Sequence, residues 1–295
     1  MKIIFIGCVK FSYDCLKTLI ESKAKIVGVC TLEHSSFNAD FCDLSLLAKE
    51  NHIPFKYTKD VNESSNLDWI KALEPDIIFC FGWSKLLKKQ ILDIPKNGVL
   101  GYHPAELPLN RGRHPIIWAL VLGLKRTAST FFFINESADQ GDILDQKIIP
   151  IRYEDTAATL YKKITKTAIK QINDFLPKLE NNNYKKIPQD DELSNTWRRR
   201  TKTDGLIDWR MNSESIRNLI RGLSKPYCGA SFLFEGNEYK VWEAESLDYK
   251  LENIEPGKVL EISQKRITVK CAMGAIRILN IEPNIINKLK VGDYL

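Results

Sequence analysis

The sequence lacks the patterns that mark several common protein classes. Its 295 residues include no stretch of 18 apolar residues, so no segment predicts a membrane-spanning helix. The segment after the first apolar run, GCVKFSYD, holds one glycine and neither GxGxxG nor GxxxxGKS/T, which argues against NAD-dependent or P-loop chemistry. The seven cysteines show no CxxC spacing, which favours reduced core thiols over disulfides or a zinc site. Because no small-residue cleavage site follows the apolar start, a cytoplasmic protein is expected.

Charge does not single out a partner either. The chain carries 43 Lys and Arg against 37 Asp and Glu, a net charge of +6. Lysines are dense at 162–170, which the solvated face of a helix explains, and a second basic group stands at 198–202. The second group suits phosphate contacts and a basic interdomain linker equally well. Composition alone therefore does not favour a nucleic-acid partner.

The first half of the chain alternates strand and helix patterns. Apolar runs predict strands, and segments with apolar residues at helical spacing predict helices between them. The predicted strands are 2–7, 24–31, 54–57, 76–82, the segment ending at 101, 129–134 and 145–150. The predicted helices are 12–22, 43–51, 65–74, 84–93, 116–123 and 156–180. This alternation is typical of a Rossmann-like, mostly parallel sheet with helices on both faces.

The pattern changes after a polar break at 181–195. One helix at 213–224 is followed by short strands, with hairpin signals at Gly236-Asn237 and Met273-Gly274. This order predicts a small C-terminal β-barrel of the five-stranded oligomer-binding (OB-like) type. The expected organisation is a first domain at 1–188, a linker at 189–206 and a C-terminal domain at 207–295.

Two titratable residues follow predicted strands of the first domain. His103 comes directly after the run Gly98-Val99-Leu100, and Asp139 lies in a turn after the strand 129–134. Open α/β sheets build their sites at the carboxyl ends of strands. If these strands are neighbours, Asp139 raises the pKa of His103 and fixes its ring, giving an acid/base near neutral pH. The alternative interpretation is a structural turn in each case.

At these residues the chain resembles a known family. The run HPAELPLNRGRHPIIWAL at 103–120, followed by ADQGDIL at 138–144, is similar to the folate-dependent formyltransferases. The likeness continues through KIIFIG, IIFCFGWSKLL, RRRTKTDGLIDW and SKPYCGASFLFEGNEYKVWEAE to the C-terminal segments, and so covers nearly the whole chain. Members of this family formylate the amine of methionyl-tRNA or of nucleotide-linked sugars.

The resemblance implies 10-formyltetrahydrofolate as the formyl donor and a primary amine as the acceptor. It assigns His103 as general acid/base and Asp139 as the residue that raises its pKa. In the family an asparagine two residues before the histidine stabilises the oxyanion, but this chain has Gly101 there. A charged His103, a backbone N–H, a water or Asn110 would then replace it. A non-catalytic relative that binds folate or a sugar nucleotide is the alternative.

The resemblance also places the donor pocket, while the absence of a CxxC or His/Glu cluster in the sequence argues against a metal. Backbone groups at 85–87, the Arg113 side chain and the turn at 135–139 are expected to line it, although Arg113 also suits the phosphates of an acceptor. The donor-binding residues are Lys85, Leu86, Leu87, Arg113, Asn135, Glu136, Ser137, Ala138 and Asp139.

The acceptor class is predicted from the segment Ile26 to Ala48, where the tRNA enzyme carries a basic insertion. This segment contains no Lys or Arg and includes Glu33, Asp40 and Asp43. RNA binding without cations there would forfeit the phosphate contacts that dominate affinity. We therefore expect a nucleotide-linked amino sugar as the partner, with no nucleic acid or membrane. The alternative acceptor is methionyl-tRNA, a homodimer is possible, and lipopolysaccharide or glycan biosynthesis is the expected setting.

Overall fold

A seven-stranded sheet organises the first part of the chain in the computed structural model, which describes residues 1–36, 38–250 and 252–295. Its spatial order is β3-β2-β1-β4-β5-β7-β8. Strands β1 to β5 pair in parallel, whereas β5 and β7 are antiparallel. The strands are β1 (Lys2–Ile6), β2 (Lys25–Thr31), β3 (Phe55–Tyr57), β4 (Ile77–Cys80), β5 (Val99–His103), β7 (Arg126–Phe133) and β8 (Ile143–Pro150). The predicted Rossmann-like, mostly parallel sheet is confirmed.

The central strands are buried on both faces. Residues 3–6 of β1 are 0% exposed, as are residues 77–79 of β4. Such continuous apolar runs are typical of parallel strands covered by helices on both sides. The cysteines are free thiols, and burial raises the pKa of the Cys30 thiol to about 12.

Helices connect these strands, and one of them is shorter than the sequence predicts. They are α1 (Lys10–Glu21), α2 (Ser45–Glu50), α3 (Ser64–Ala72), α4 (Lys89–Leu92), α5 (Pro115–Val121) and α6 (Ala157–Glu180). The predicted helix at 84–93 forms only over its second half. Asn62 explains part of this difference, because its Nδ2 donates to the Leu86 carbonyl and its Oδ1 accepts from the Lys88 N–H. These bonds hold the 86–88 backbone before the helix begins.

The C-terminal part contains a second, antiparallel sheet. Its five strands have the order β10-β11-β14-β13-β12, and one helix, α7 (Ser213–Leu223), packs with them. The strands are β10 (Ala230–Phe234), β11 (Asn237–Leu247), β12 (Val259–Ser263), β13 (Arg266–Lys270) and β14 (Ala275–Glu282). Glu235 and Gly236 have φ of 49° and 75°, as a two-residue hairpin turn requires. The predicted five-stranded C-terminal domain is confirmed.

Contacts divide the chain into two compact units. The first comprises 1–115, 127–149 and 162–198, and the second comprises 116–126, 150–161 and 199–295. Part of the predicted linker belongs to the first unit, where β9 (Thr196–Trp197) pairs in parallel with β6 (Arg111–Gly112). The domain boundaries at 188 and 206 stay a prediction.

Candidate active site

The strand order of the first sheet opens a crevice at its carboxyl edge. The chain moves from β1 outward to β2 and β3, and then returns to β4 on the other side of β1. Open α/β sheets bind ligands at such a switch point. Asn38 lies there, because its Oδ1 accepts from Ser84 Oγ at 3.2 Å and its Nδ2 is 3.5 Å from Cys8 Sγ. Ser84 follows β4 and Cys8 follows β1, and these are the two strands that flank the switch point.

His103 is the last residue of β5 and is 5% exposed. Its Nε2 lies 2.8 Å from the carbonyl oxygen of Asn110, and its Nδ1 lies 3.7 Å from Asp139 Oδ2. A carbonyl only accepts, so Nε2 carries a proton. An imidazolium has an N–H for each of the two acceptors, whereas a neutral ring has one.

Asp139 reaches the histidine through a loop. The sequence pattern predicts that His103 and Asp139 meet because both follow the carboxyl end of a strand. That reason is wrong: β5 and β7 are antiparallel, so their carboxyl ends lie at opposite ends of the pair. The turn after β7 brings the carboxylate back to the ring, with Asp139 at φ 58°. Its Oδ2 accepts the Gly112 N–H at 2.9 Å. The loop 110–112 therefore contacts both the histidine and the carboxylate.

A segment interpreted from sequence as linker braces these loops. Gln189 Nε2 donates to the carbonyls of Asp139 at 2.9 Å and Gly141 at 2.7 Å, and its Oε1 accepts from Arg111 Nη2 at 2.8 Å. Arg111 is 4% exposed and also pairs with Asp191 at 2.7 Å. No pattern in the sequence marks Arg111 for this role, because its burial cannot be predicted from the sequence.

The backbone of the loop is braced by the same segment. Asn195 Oδ1 accepts the Asn110 N–H at 2.8 Å, and the Asn195 carbonyl accepts the Arg111 N–H at 3.0 Å. The Arg113 N–H donates to the Trp197 carbonyl at 3.1 Å. We call residues 189–197 the bracing segment.

Gly101 faces a side chain that fills the space beside it. In β5 it pairs with Phe132 of β7. A Cβ added at Gly101 would lie 2.7 Å from Ile134 Cγ1 and 3.1 Å from Phe132 Cζ. Ile134 therefore occupies room that any side chain at position 101 would need, which leaves no evident place for a water there.

The residues expected to bind the donor follow β4 in an irregular segment. Lys85 and Leu86 are exposed and Leu87 is buried. The Leu86 carbonyl is engaged by Asn62. Nearby, Trp83 Nε1 is buried and makes no hydrogen bond within the described ranges 1–36, 38–250 and 252–295. A buried donor without a partner costs free energy, and a bound ligand would relieve that cost.

The turn expected to line the same pocket is open to solvent. Residues 135–138 are exposed, and the Ser137 N–H donates to Asn135 Oδ1 at 3.0 Å. The pKa of Lys89 is raised mainly by its hydrogen bond with Asp93, and the charge of Glu136 adds to it.

Arg113 is not joined to the pair formed by His103 and Asp139. Its side chain is exposed, and within the described part of the chain its guanidinium makes no hydrogen bond or ion pair. The described residues also contain no group of three His, Cys, Asp or Glu that would hold a metal ion, and no helix long and apolar enough to cross a membrane.

Comparisons with known proteins place the chain. Residues 1–176 match the family model "Formyl transferase", and residues 199–295 match "Formyl transferase, C-terminal domain". The chain belongs to the formyltransferase family. A similar protein is the methionyl-tRNA formyltransferase of Caldanaerobacter subterraneus, 32% identical over 100% of this chain and 96% of the relative.

Two further proteins are similar to this chain, one in sequence and one in fold. The bifunctional polymyxin resistance protein ArnA of Wigglesworthia glossinidia brevipalpis is 33% identical over 99% of this chain, which spans 45% of that relative. The structure of WlaRD, a sugar 3N-formyl transferase in the presence of dTDP and 5-N-formyl-THF, has a TM-score of 0.73 and 19% identity. That match covers 96% of this chain and 98% of WlaRD.

Proposed function

We propose that the enzyme transfers the formyl group of 10-formyltetrahydrofolate to the primary amine of a nucleotide-linked amino sugar. The observation that carries this proposal is the buried His103 ring, which lies between the Asn110 carbonyl and the Asp139 carboxylate. A histidine with a carboxylate partner suits acid/base work at a carbonyl carbon.

The chemistry needs a proton to change places. The folate supplies a formyl group on nitrogen, the acceptor amine attacks its carbon, and the C–N bond to the folate then breaks. The amine loses a proton and the departing nitrogen gains one, so the overall reaction needs no other reactant. His103 holds a proton at Nε2 for this exchange, while Asp139 stabilises the cationic ring. Such a residue typically contributes about 100- to 10,000-fold to the rate.

In this structure the Nε2–H of His103 donates its hydrogen bond to the Asn110 carbonyl. For that proton to reach the substrate, this hydrogen bond must be exchanged for one to the reacting nitrogen or oxygen. Asn110 has φ 64° and is tied to Asn195 through its own N–H. On this proposal, substrate binding must displace the Asn110 carbonyl from His103 Nε2, so the loop 110–112 has to adjust when the substrate binds.

Oxyanion stabilisation must come from a group other than residue 101. One donor is typically worth about 3–4 kcal/mol. Because Ile134 fills the space beside Gly101, we assign this role to the cationic His103 ring. The same ring then offers positive charge while the carbonyl oxygen is negative, and gives its proton when the folate nitrogen leaves.

The acceptor proposal is supported by charge and position. The segment 26–48 has no Lys or Arg, and Asn38 from this segment lies at the switch-point crevice. Arg113 has an exposed guanidinium that suits a diphosphate. WlaRD, which shares the fold, is described as a sugar N-formyltransferase with dTDP present. We place the reaction in the cytoplasm, in lipopolysaccharide or glycan synthesis.

Methionyl-tRNA is the second candidate acceptor. The similarity to methionyl-tRNA formyltransferase over the whole chain favours it. It predicts that activity falls steeply with salt, because counterions are released when phosphates bind. A sugar nucleotide, with its few charges, predicts a shallow dependence.

The test is mass spectrometry of an acceptor panel incubated with 10-formyltetrahydrofolate and the enzyme. The panel contains nucleotide-linked 3-amino and 4-amino sugars and charged initiator tRNA. We expect a formyl increment on one sugar nucleotide, reduced at least 100-fold in His103→Asn and unchanged in His52→Asn, a substitution of an exposed histidine. Formylation of tRNA alone would overturn the acceptor proposal, and folate binding without any product would overturn the catalytic one.

A further inference from the structure

A cavity of about 400 Å³ lies within the C-terminal unit, between α7, β11 and the segment 153–156. Pockets of this size accommodate small organic ligands. None of the residues of the proposed catalytic site lines it. Its polar wall is formed by two arginines of α7, Arg217 and Arg221.

Arg221 is a buried cation held mainly by backbone carbonyls. It is 8% exposed, and its Nε donates to Asn218 Oδ1 at 2.7 Å. Its Nη1 donates to three backbone carbonyls, those of Arg152, Tyr153 and Asp155, at 3.0–3.3 Å. No carboxylate oxygen among the described residues lies within 4.0 Å of its guanidinium, and Nη2 makes no hydrogen bond in the same set. Burial lowers the pKa of Arg221 and the charge of Arg217 lowers it further, whereas the charges of Glu214 and Asp155 raise it.

Arg217 brings a second cation to the same wall. Its guanidinium stacks on the Tyr153 ring at 3.5 Å, and its Nη2 donates to the Tyr153 carbonyl at 2.7 Å. Its Nη1 is buried and has no hydrogen bond within the described residues, since Glu214 Oε1 lies 3.6 Å away. Two desolvated guanidinium groups with incomplete partners attract an anion.

The acidic residues near the cavity offset these cations only in part. Glu214 Oε1 lies 3.6 Å from Arg217 Nη1, and the charge of the buried Asp155 acts on Arg221. Glu154, Glu243 and Glu245 line the cavity, but all three are exposed. Glu154 pairs with Arg152 at 3.9 Å, and Glu245 pairs with Arg277 at 3.6 Å. Solvent screens exposed charges more strongly than buried ones. The glutamates of the rim are therefore screened by solvent, while the guanidinium groups of Arg217 and Arg221 are poorly screened.

The remaining wall is apolar. Side chains from α7, β11 and β14 form it, and they would contact the hydrocarbon or ring portion of a ligand: Ile220, Trp242, Ala244, Leu247 and Leu279. A guanidinium with a free nitrogen beside an apolar wall suits a molecule that is anionic at one end and apolar at the other.

We propose that this cavity binds a small organic phosphate, with the phosphate on Arg221 Nη2 and an organic ring against the apolar wall. Guanidinium groups match phosphate oxygens in geometry and charge. The site is separate from the proposed formyl-transfer site and does not depend on that function.

The test is calorimetric titration of the full chain with uridine 5′-monophosphate, inorganic phosphate, uridine and citrate. Fluorescence is followed in parallel, with Trp242→Phe identifying the signal from the cavity. We expect the nucleotide to bind more tightly than inorganic phosphate, and uridine and citrate to bind weakly. Arg221→Met should weaken nucleotide binding at least tenfold. Arg210→Met is the matched control, because Arg210 is 84% exposed and pairs with Asp208 outside the cavity.

A second variant guards against misfolding of Arg221→Met. Ala244→Glu places a carboxylate on the cavity wall without removing a side-chain hydrogen bond, and we expect a similar loss of affinity. His103→Asn should leave the Trp242 signal and its affinity unchanged, which separates this site from the catalytic proposal. Nucleotide binding that survives both cavity variants, or uridine or citrate binding as tightly as the nucleotide, would overturn the proposal.

Discussion

The loops that carry the reactive groups and the bracing segment differ in how the sequence presents them. His103 and Asp139 stand in a dense pattern of proline, glycine and charged residues. The bracing segment, 189–197, lies mostly in the polar break of the sequence. It nevertheless holds Asp139, Gly141 and the 110–113 loop through hydrogen bonds to their backbone and to Arg111. The comparison teaches that reactive residues leave a sequence signature, whereas the residues that position them are recognised only by their contacts.

The largest expected effect is at Asp139, one of the two reactive residues. Asp139→Asn keeps the shape of the side chain and its bond to the Gly112 N–H but removes the charge beside His103. We expect kcat to fall about 100-fold, because the cationic ring loses its carboxylate partner. Steady-state kinetics measures it. Asp142→Asn, in the same turn, is the control, and an equal loss in both variants would contradict the assigned role.

The next effect concerns the space beside the histidine strand. Gly101→Ala puts a Cβ 2.7 Å from Ile134 Cγ1, so we expect a loss of about 1–3 kcal/mol in the free energy of unfolding from overpacking. Chemical denaturation measures it. In a double-mutant cycle, Ile134→Ala, which removes Cγ1 and Cδ1, should recover part of the loss. Strictly additive effects of the two substitutions would show that Ile134 does not fill this space.

The bracing segment is tested by Gln189. Gln189→Ala removes both donors to the 139–141 turn and the acceptor for Arg111, so we expect kcat to fall about tenfold with a shifted pH profile. Gln189→Glu keeps the acceptor and loses the donors, so it separates the two contributions. Gln90→Ala, on the exposed surface of α4, is the control. A loss of stability with an unchanged pH profile would reduce Gln189 to a structural role.

The sequence predicts the fold through its periodicity. Apolar runs identify β1 and β4, because strands buried on both faces need no polar alternation. A hairpin follows from turn chemistry, but it forms at Glu235-Gly236, one residue before the predicted Gly236-Asn237, because β11 begins at Asn237. The helix predicted from 84 is wrong in its first half, since Asn62 binds the backbone of 86–88 from a distant part of the chain. Long-range side-chain contacts of this kind have no local signal.

In the candidate site, the sequence predicts the two reactive residues but not the residues that position them. His103 and Asp139 follow from motif and resemblance, and the structure brings them within 3.7 Å. Their catalytic roles stay predictions. The contact arises through a loop after an antiparallel strand, which the pattern of strands and helices does not reveal. Arg111 and Gln189 could not be found, because only burial distinguishes Arg111 and only its hydrogen bonds distinguish the half-buried Gln189.

The smallest expected effect concerns Trp83, whose side chain packs against the core of the first unit. Trp83→Phe keeps an aromatic ring in the core but removes the buried Nε1 donor that has no partner in the described ranges. If the donor pocket lies beside 85–87, bound folate supplies the missing acceptor, so we expect a five- to tenfold loss of tetrahydrofolate affinity. Stability without ligand should be unchanged or slightly higher, because the variant no longer buries an unsatisfied N–H. Calorimetry and thermal unfolding measure the two, with Trp69→Phe as the matched control. Equal folate affinity in both variants would leave Trp83 with a packing role. The contrast between reactive and positioning residues would then rest on the loops around His103 alone.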